Sequence, residues 1–263
     1  MVKKTVRFGE QAAVPAIGLG TWYMGEHVAQ RQQEVAALRA GIDHGLTVID
    51  TAEMYADGGA EEVVGQAIRG LRDRVVLVSK VYPWHAGKAA MHRACENSLR
   101  RLQTDYLDMY LLHWRGDIPL QETVEAMEKL VAEGKIRRWG VSNLDTEDMQ
   151  ALWRTADGEH CATNQVLYHL ASRGIEYDLL PWCQQHSLPV MAYCPLAQAG
   201  RLRDGLFQHT DIIKMANERG VTVAQLLLAW VIRHPGVLAI PKAASIEHVV
   251  QNAAALDIVL SGE

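Results

Sequence analysis

Four residues with ionisable side chains follow three consecutive apolar segments of the chain. Asp50, Lys80 and His113 each close a β-prone run, and Tyr55 comes five residues after Asp50. A buried aspartate is costly unless a cation lies nearby, and Lys80 is such a cation. An ammonium beside a phenol favours the phenolate and lowers the phenol pKa, which suits proton transfer. We therefore take these four residues as the candidate functional centre and the rest of the chain as its scaffold.

The elements that must position this quartet alternate between strand and helix. Eight strands are predicted to end near residues 19, 50, 80, 113, 142, 166, 193 and 240, and helices are predicted over 30–44, 61–68, 88–101, 119–133, 145–155, 174–186, 210–219, 222–233 and 245–255. This alternation indicates a parallel sheet, and eight units in a chain of this length favour a closed (β/α)8 TIM barrel. An open doubly wound sheet is the alternative. An N-terminal β-hairpin is predicted from residues 5–8 and 12–17, which flank a turn at 9–11.

Composition narrows the class of protein. The 263 residues are 49% hydrophobic, which suits a single domain over residues 1–263, and the net charge of −5 argues against a nucleic-acid partner. No segment reaches the roughly 20 apolar residues of a membrane span. Residues 1–8 lack the apolar core of a signal peptide, and the four cysteines are scattered. We therefore expect reduced thiols and a cytoplasmic location.

The other predicted strands also end in polar or aromatic residues. The carboxyl ends of barrel strands share one rim, where barrel enzymes build their sites. Besides the quartet, this rim is predicted to carry Ser142, Asn143, Gln165, Tyr193 and Lys242. Opposite charges, amides and an aromatic ring converging on one rim indicate a functional site.

The motifs at this rim follow the order found in one family. The segments 18–22, 50–55, 78–80, 105–108, 111–114, 140–143, 164–165 and 240–242 resemble those of the aldo-keto reductase superfamily over nearly the whole chain. The loops 21–25 and 82–84 resemble those of its bacterial branch that reduces methylglyoxal and similar aldehydes. The resemblance implies an NADP-dependent enzyme that transfers hydride from a nicotinamide to a carbonyl, giving an alcohol.

The same resemblance assigns a role to each member of the quartet. Tyr55 matches the proton donor, and Lys80 would lower its pKa. Asp50 would keep Lys80 charged and aimed, and His113 would hold the carbonyl oxygen by a hydrogen bond. Two other interpretations stay open at this point: a purely structural Asp–Lys pair, and a metal site that uses Glu53. The second is disfavoured because no HxH or HxxE spacing occurs and Lys80 would compete with the metal. We therefore predict no metal.

A nicotinamide dinucleotide would lie extended across the rim, since no strand-linked GxGxxG motif is present. The resemblance places Ser142, Asn143 and Gln165 at the carboxamide and Tyr193 against the ring. It also implies that residues 195–202 form a loop over the pyrophosphate. The remaining cofactor contacts are assigned to Thr21, Trp22, Pro195, Leu196, Gln198, Gly200, Lys242, Ser245, His248 and Asn252.

Around Lys242 the chain departs from the family pattern. Ala243 stands in place of the usual serine, His248 in place of an arginine and Gln251 in place of a glutamate. A histidine carries little charge near neutral pH and cannot form the bidentate contact of a guanidinium. We therefore predict NADPH as the cofactor with a reduced advantage over NADH, which remains possible.

The substrate would lie against an aromatic wall. Its predicted members are Trp22, Tyr23, Tyr82, Trp84, His113 and Trp114, although loop aromatics also seal barrel tops by ordinary packing. Such a pocket suits small aldehydes and dicarbonyls. The chain stops at Gly262–Glu263, where the family usually adds a helix and a closing loop. We therefore expect a missing C-terminal segment.

Two competing functions share part of this pattern. A cofactor-binding regulatory subunit, as in the channel β-subunit branch of the same superfamily, would keep the quartet but turn over little. An isomerase or aldolase would use Lys80 as a Schiff-base nucleophile. We predict a monomeric enzyme with a small carbonyl substrate and neither a nucleic-acid nor a membrane partner.

Overall fold

A computed structural model of the protein describes residues 3–262 and shows eight parallel strands surrounded by helices. Two short strands precede the sheet. The strands are β1 (Thr5–Val6), β2 (Val14–Pro15), β3 (Leu19–Gly20), β4 (Val48–Asp50), β5 (Val76–Val81), β6 (Leu107–Leu112), β7 (Ile136–Ser142), β8 (Asn164–Leu167), β9 (Val190–Tyr193) and β10 (Val237–Ala239). The helices are α1 (Arg31–Asp43), α2 (Gly59–Ala67), α3 (Lys88–Leu102), α4 (Leu120–Ala132), α5 (Thr146–Trp153), α6 (Leu179–Gln185), α7 (Arg201–Phe207), α8 (Thr210–Arg219), α9 (Val223–Val231) and α10 (Ile246–Ala254).

The sheet closes on itself where its first and last strands meet. Strands β3 to β10 pair in sequence order, and bridges join Ile17 to Ala239 and Gly20 to Lys242. A Cβ atom on Gly20 would lie 2.6 Å from the carbonyl oxygen of Ile240, so only glycine permits this approach. The predicted (β/α)8 barrel is confirmed, and the open sheet is excluded.

The N-terminal hairpin is also confirmed. Strands β1 and β2 pair antiparallel, with Thr5 opposite Pro15 and Val6 opposite Val14. Both strands are shorter than predicted. Phe8, in the connecting segment, is completely buried and joins the hairpin to the hydrophobic core.

The central strands are buried along their whole length because helices cover the outside of the barrel and side chains fill its inside. Every residue of β5 and β6 is buried. Side chains alternate between the two faces of a strand. On β5, Ser79 faces outward to the Glu61 carboxylate of α2, while Lys80 binds Asp50 at the end of β4. This alternation delivers the amine to the barrel rim.

Two helical segments differ from the prediction. The helix predicted over 174–186 is a 3₁₀ turn at Gly174–Glu176 followed by α6. Pro181 has no backbone N–H, and it lies in the first turn of α6, where backbone N–H groups have no acceptor within the helix. A proline is tolerated there but not further along, so the helix begins just before it. The segment 195–202 was predicted as a loop, but α7 begins within it at Arg201.

Over residues 3–262, no helix is long and apolar enough to cross a membrane.

Candidate active site

Three of the four candidate catalytic residues share hydrogen bonds at the ends of adjacent strands. Lys80 is completely buried, and its Nζ atom lies 2.7 Å from Asp50 Oδ2 and 3.0 Å from the Tyr55 hydroxyl oxygen. It also donates to the backbone oxygen of Thr51 at 3.0 Å. An ammonium has three N–H donors, so all of them are used. The charge of Lys80 is therefore fixed directly beside the phenol.

A tight turn places Tyr55 over Lys80. Ala56, Asp57 and Gly58 all have positive φ angles, of 50°, 51° and 92°, and the chain then enters α2. Left-handed backbone is unfavourable for alanine, although aspartate tolerates it better, and such local strain is common at functional sites. A Cβ atom on Gly58 would lie 2.6 Å from Arg101 Cδ, so the glycine lets α3 pack against this turn.

The charges around Tyr55 and Lys80 act against the effect of burial. Burial lowers the pKa of Lys80, but Asp50 and the phenol together outweigh it and raise that pKa above its usual value. For Tyr55, burial raises the pKa more than Lys80 lowers it. Lys80 does lower the Tyr55 pKa, as predicted. The net shift is nevertheless upward, because the effect of burial is larger. The phenol is therefore protonated near neutral pH.

His113 follows β6 and lies beside Tyr55. The two ring centroids are 5.8 Å apart in an edge-on arrangement. The side chain is only 8% exposed, and burial together with the Lys80 charge lowers its pKa from 6.5 to about 3. Its Nδ1 atom is buried without a hydrogen-bond partner in the part of the chain that the structure describes. His113 is therefore a neutral imidazole near neutral pH, and it can form a hydrogen bond with a ligand.

Amides and hydroxyl groups from β7, β8 and β9 complete the rim. Gln165 Nε2 donates to Asp50 Oδ1 at 2.8 Å, and Ser142 Oγ donates to the Gln165 backbone oxygen at 2.8 Å. Asn143 donates to the backbone oxygen of His113 at 3.0 Å and accepts from the Tyr193 hydroxyl at 2.7 Å. These bonds connect the amide side of the rim to the quartet.

A cavity of about 520 Å³ opens above this network. Of the predicted site residues, its walls contain Thr21, Trp22, Tyr23, Asp50, Tyr55, His113, Trp114, Ser142, Asn143, Gln165, Tyr193, Pro195, Leu196, Gln198 and Lys242. Lys80 lies beneath the cavity floor, against Asp50 and Tyr55.

Some predicted cofactor residues are not part of these walls. Gly200, Ser245, His248 and Asn252 lie outside the lining of the cavity. Ser245 caps α10 and accepts a hydrogen bond from the His248 backbone at 3.3 Å. Asn252 is buried and His248 is exposed. Their cofactor contacts therefore stay predictions.

The aromatic wall is built in two stacked pairs. Trp22 stacks on Tyr23, and Tyr82 stacks on Trp84, each pair with ring centroids 4.4 Å apart. The edge of Trp84 meets Trp114 at 5.6 Å. Tyr82 and Trp84 do not themselves line the cavity. They contact Trp114, which does line the cavity.

Sequence reasoning missed several lining residues, most notably Arg203 on α7 and Cys194 after Tyr193. A glycine followed by Arg-Leu-Arg-Asp at 200–204 was the available signal for a helix start with two cations. Arg203 and Lys242 give the cavity two cations, while its one carboxylate, Asp50, is neutralised by Lys80. This set of groups fits an anionic dinucleotide.

A metal ion fits the site less well. The carboxylate of Glu53 accepts a hydrogen bond from the Tyr82 backbone, and Asp50 is paired with Lys80. Within residues 3–262, no group of three or more His, Cys, Asp or Glu side chains could hold a metal ion.

A closed (β/α)8 barrel with an Asp–Lys–Tyr–His site at its rim defines the class of carbonyl oxidoreductases built on this fold. Residues 16–263 match the profile of the aldo/keto reductase family, and the chain belongs to that family. The family predicted from the sequence is therefore confirmed.

Three relatives are especially similar. The chain is 66% identical over 261 residues to methylglyoxal reductase YeaE of Escherichia coli, covering 99% of this chain and 92% of that protein. It is 98% identical to an aldo/keto reductase from Klebsiella pneumoniae solved in complex with NADP and acetate, with a TM-score of 0.98 over 99% of this chain and 92% of the other. A Klebsiella pneumoniae aldo-keto reductase in complex with NADPH has the same identity and TM-score, and covers 100% and 92% of the two chains.

Proposed function

We propose that this protein is an NADPH-dependent reductase that converts small aldehydes, ketones and dicarbonyls such as methylglyoxal to alcohols. The observation that carries the proposal is the Tyr55 hydroxyl, 3.0 Å from the buried Lys80 ammonium at the base of a cavity with cations in its wall. A relative at 66% identity is a methylglyoxal reductase, and two structures at 98% identity hold NADP or NADPH.

Several lining residues suit a reduced nicotinamide dinucleotide, which supplies the hydride when bound. Tyr193 offers a ring face for the nicotinamide, and Ser142 and Asn143 lie beside it with groups for the carboxamide. Lys242 and Arg203 offer positive charge to the phosphates. Of these two, we assign the 2′-phosphate to Lys242, which would favour NADPH over NADH.

Tyr55 completes the reduction by giving its proton to the carbonyl oxygen as hydride reaches the carbonyl carbon. Because burial raises its pKa, the phenol is protonated at neutral pH and ready to donate. The phenolate left behind forms within 3.0 Å of Lys80, whose positive charge stabilises it. A proton from water then restores the phenol.

His113 orients the substrate. As a neutral imidazole, it can donate one hydrogen bond to the carbonyl oxygen beside the Tyr55 hydroxyl. A protonated His113 would be repelled by the charge of Lys80, and the neutral ring avoids this repulsion. Trp22 and Trp114 bound the remaining space with apolar surface. The resulting pocket suits a small, uncharged carbonyl compound.

The test is steady-state oxidation of NADPH by the purified protein with methylglyoxal, glyoxal and simple aldehydes, followed by nicotinamide absorbance. We expect many turnovers per protein molecule and a higher kcat/KM with NADPH than with NADH. A single turnover with retained cofactor would instead indicate a regulatory subunit. Substrate trapped on Lys80 by borohydride, in a protein that needs no nicotinamide, would indicate Schiff-base chemistry.

A further inference from the structure

Glu53 lies within the Asp50–Tyr55 segment, but its side chain is not part of the cavity walls. It is 8% exposed, and the catalytic scheme above gives it no role. Burying a carboxylate is costly unless hydrogen bonds compensate. The hydrogen-bond partners of Glu53 therefore indicate which part of the structure its carboxylate holds in place.

Both ends of one short turn bind this carboxylate. The 3₁₀ turn Pro83–His85 begins after Tyr82, whose backbone N–H donates to Glu53 Oε1 at 2.7 Å. The same oxygen lies 3.1 Å from Nδ1 of His85, the last residue of the turn. Hydrogen bonds to an ionised carboxylate are roughly twice as strong as those between neutral groups. Glu53 thereby attaches the Pro83–His85 turn to the loop that carries Tyr55.

The turn and the residue before it carry Tyr82 and Trp84, the two predicted wall residues that do not line the cavity. Tyr82 and Trp84 stack with their planes 18° apart, and the edge of Trp84 meets Trp114. Trp114 lines the cavity next to His113, with ring centroids 5.0 Å apart. Trp84 is 59% exposed, so burial alone does not hold it in place. Trp114 therefore contacts aromatic residues of a segment whose two ends bind the Glu53 carboxylate.

We propose that Glu53 is a positioning residue that sets the width of the substrate side of the cavity through Tyr82, Trp84 and Trp114. The inference rests on the proposed function, because it assumes that the carbonyl substrate lies against Trp114. We expect a two- or three-carbon dicarbonyl to contact only a small part of this wall, whereas the ring of an aromatic aldehyde would pack along it. Glu53 therefore governs selectivity for substrate size and leaves the hydride and proton steps unchanged.

The experiment compares Glu53→Ala, Glu53→Gln and His85→Ala with the wild type. Glutamine keeps the acceptor for the Tyr82 N–H and loses the charge. His85→Ala removes the contact to Glu53 at the far end of the turn, together with the edge-on contacts of the imidazole to Tyr82 and Trp84. The His85 side chain is 41% exposed, so this variant is expected to fold. Glu62→Ala is the matched control, since Glu62 is an exposed carboxylate on the following helix. Each protein is assayed with glyoxal and with benzaldehyde, and the Kd of NADPH is measured.

For Glu53→Ala, we expect kcat/KM for benzaldehyde to fall about tenfold, mainly through KM, because small displacements of a positioning group cost this much or more. The values for glyoxal and the Kd of NADPH should stay within twofold. Glu53→Gln and His85→Ala should lie between the wild type and Glu53→Ala. Equal losses for both aldehydes, a weakened NADPH complex or an unchanged benzaldehyde KM would each overturn the proposal.

A second measurement separates this proposal from the proposed function. Near-ultraviolet circular dichroism reports the packing of the aromatic side chains, the Tyr82–Trp84–Trp114 cluster among them, without any turnover. We expect a changed spectrum for Glu53→Ala and an unchanged one for Glu62→Ala. If the wild type reduces no carbonyl but the spectrum changes, the proposed function fails together with the role of Glu53 in selectivity, while its role in positioning the aromatic cluster stands. An unchanged spectrum in an active enzyme refutes the positioning role alone.

Discussion

Removing the Tyr55 hydroxyl tests the catalytic proposal most directly. In Tyr55→Phe the ring remains, and Lys80 keeps its bonds to Asp50 at 2.7 Å and to the Thr51 backbone at 3.0 Å. One hydrogen bond is lost, so the free energy of unfolding should fall by about 1 kcal/mol. A general acid contributes about 10²–10⁴ in rate. We therefore expect kcat to fall by that factor, which corresponds to about 3–5 kcal/mol in the activation barrier.

The assay is steady-state oxidation of NADPH with methylglyoxal, together with the Kd of NADPH from fluorescence titration. The Kd should stay within twofold of the wild type, because the proposed mechanism places the hydroxyl against the carbonyl substrate and not against the cofactor. Tyr177→Phe is the matched control, since this tyrosine is 92% exposed and should behave as the wild type. A Tyr55→Phe enzyme that keeps more than a third of the wild-type kcat would show that another group supplies the proton.

Three further predictions concern separate parts of the molecule. Lys242→Met should raise the Kd of NADPH at least about tenfold and leave that of NADH within twofold, since one charge-assisted bond contributes about 1.5–3 kcal/mol. Equal effects on both cofactors, measured by titration, would show that Lys242 does not bind the 2′-phosphate. Because the His113 pKa is lowered from 6.5 to about 3, the pH profile of kcat/KM should show no inflection from His113 between pH 5 and 8. For the same reason, the free energy of unfolding should fall as the pH drops from 6.5 towards 3. An inflection near pH 6.5 that is lost in His113→Gln would contradict this. Arg101→Met should leave the buried Glu61 carboxylate without its cation and lower the free energy of unfolding by about 3 kcal/mol in urea titrations, whereas the exposed Arg100→Met should change it little.

The fold was predictable from the sequence because its signals are local and repeated. Each strand is a short apolar run that ends in a polar residue, and each helix has an apolar stripe, so the eight units could be counted directly. The errors fall where one residue changes the local backbone. Pro181 limits α6 to the second half of the predicted helix, and α7 begins right after Gly200 inside a predicted loop.

The candidate site was predictable only in part. The spacing of Asp50, Tyr55 and Lys80 identified residues that do share hydrogen bonds in the structure. The direction in which the Tyr55 pKa shifts was not predictable from the sequence. It depends on how deeply the phenol is buried, and a sequence does not give burial. In the same way, loop position alone could not show that Tyr82 and Trp84 stack on each other and contact Trp114 instead of lining the cavity.

The arrangement around Lys80 argues that its pair with Asp50 serves function more than stability. Replacing a buried ion pair with well-packed apolar residues is often neutral or stabilising, so such a pair is weak support for a stabilising role. Here the three N–H donors of Lys80 bind Asp50, the Thr51 backbone and Tyr55, while the second Asp50 oxygen binds Gln165 on β8. The charge therefore cannot rotate away from the phenol without breaking bonds that join β4, β5 and β8. A purely structural pair would need no phenol as the third partner, whereas a proton donor requires a cation that is already in place when its phenolate forms.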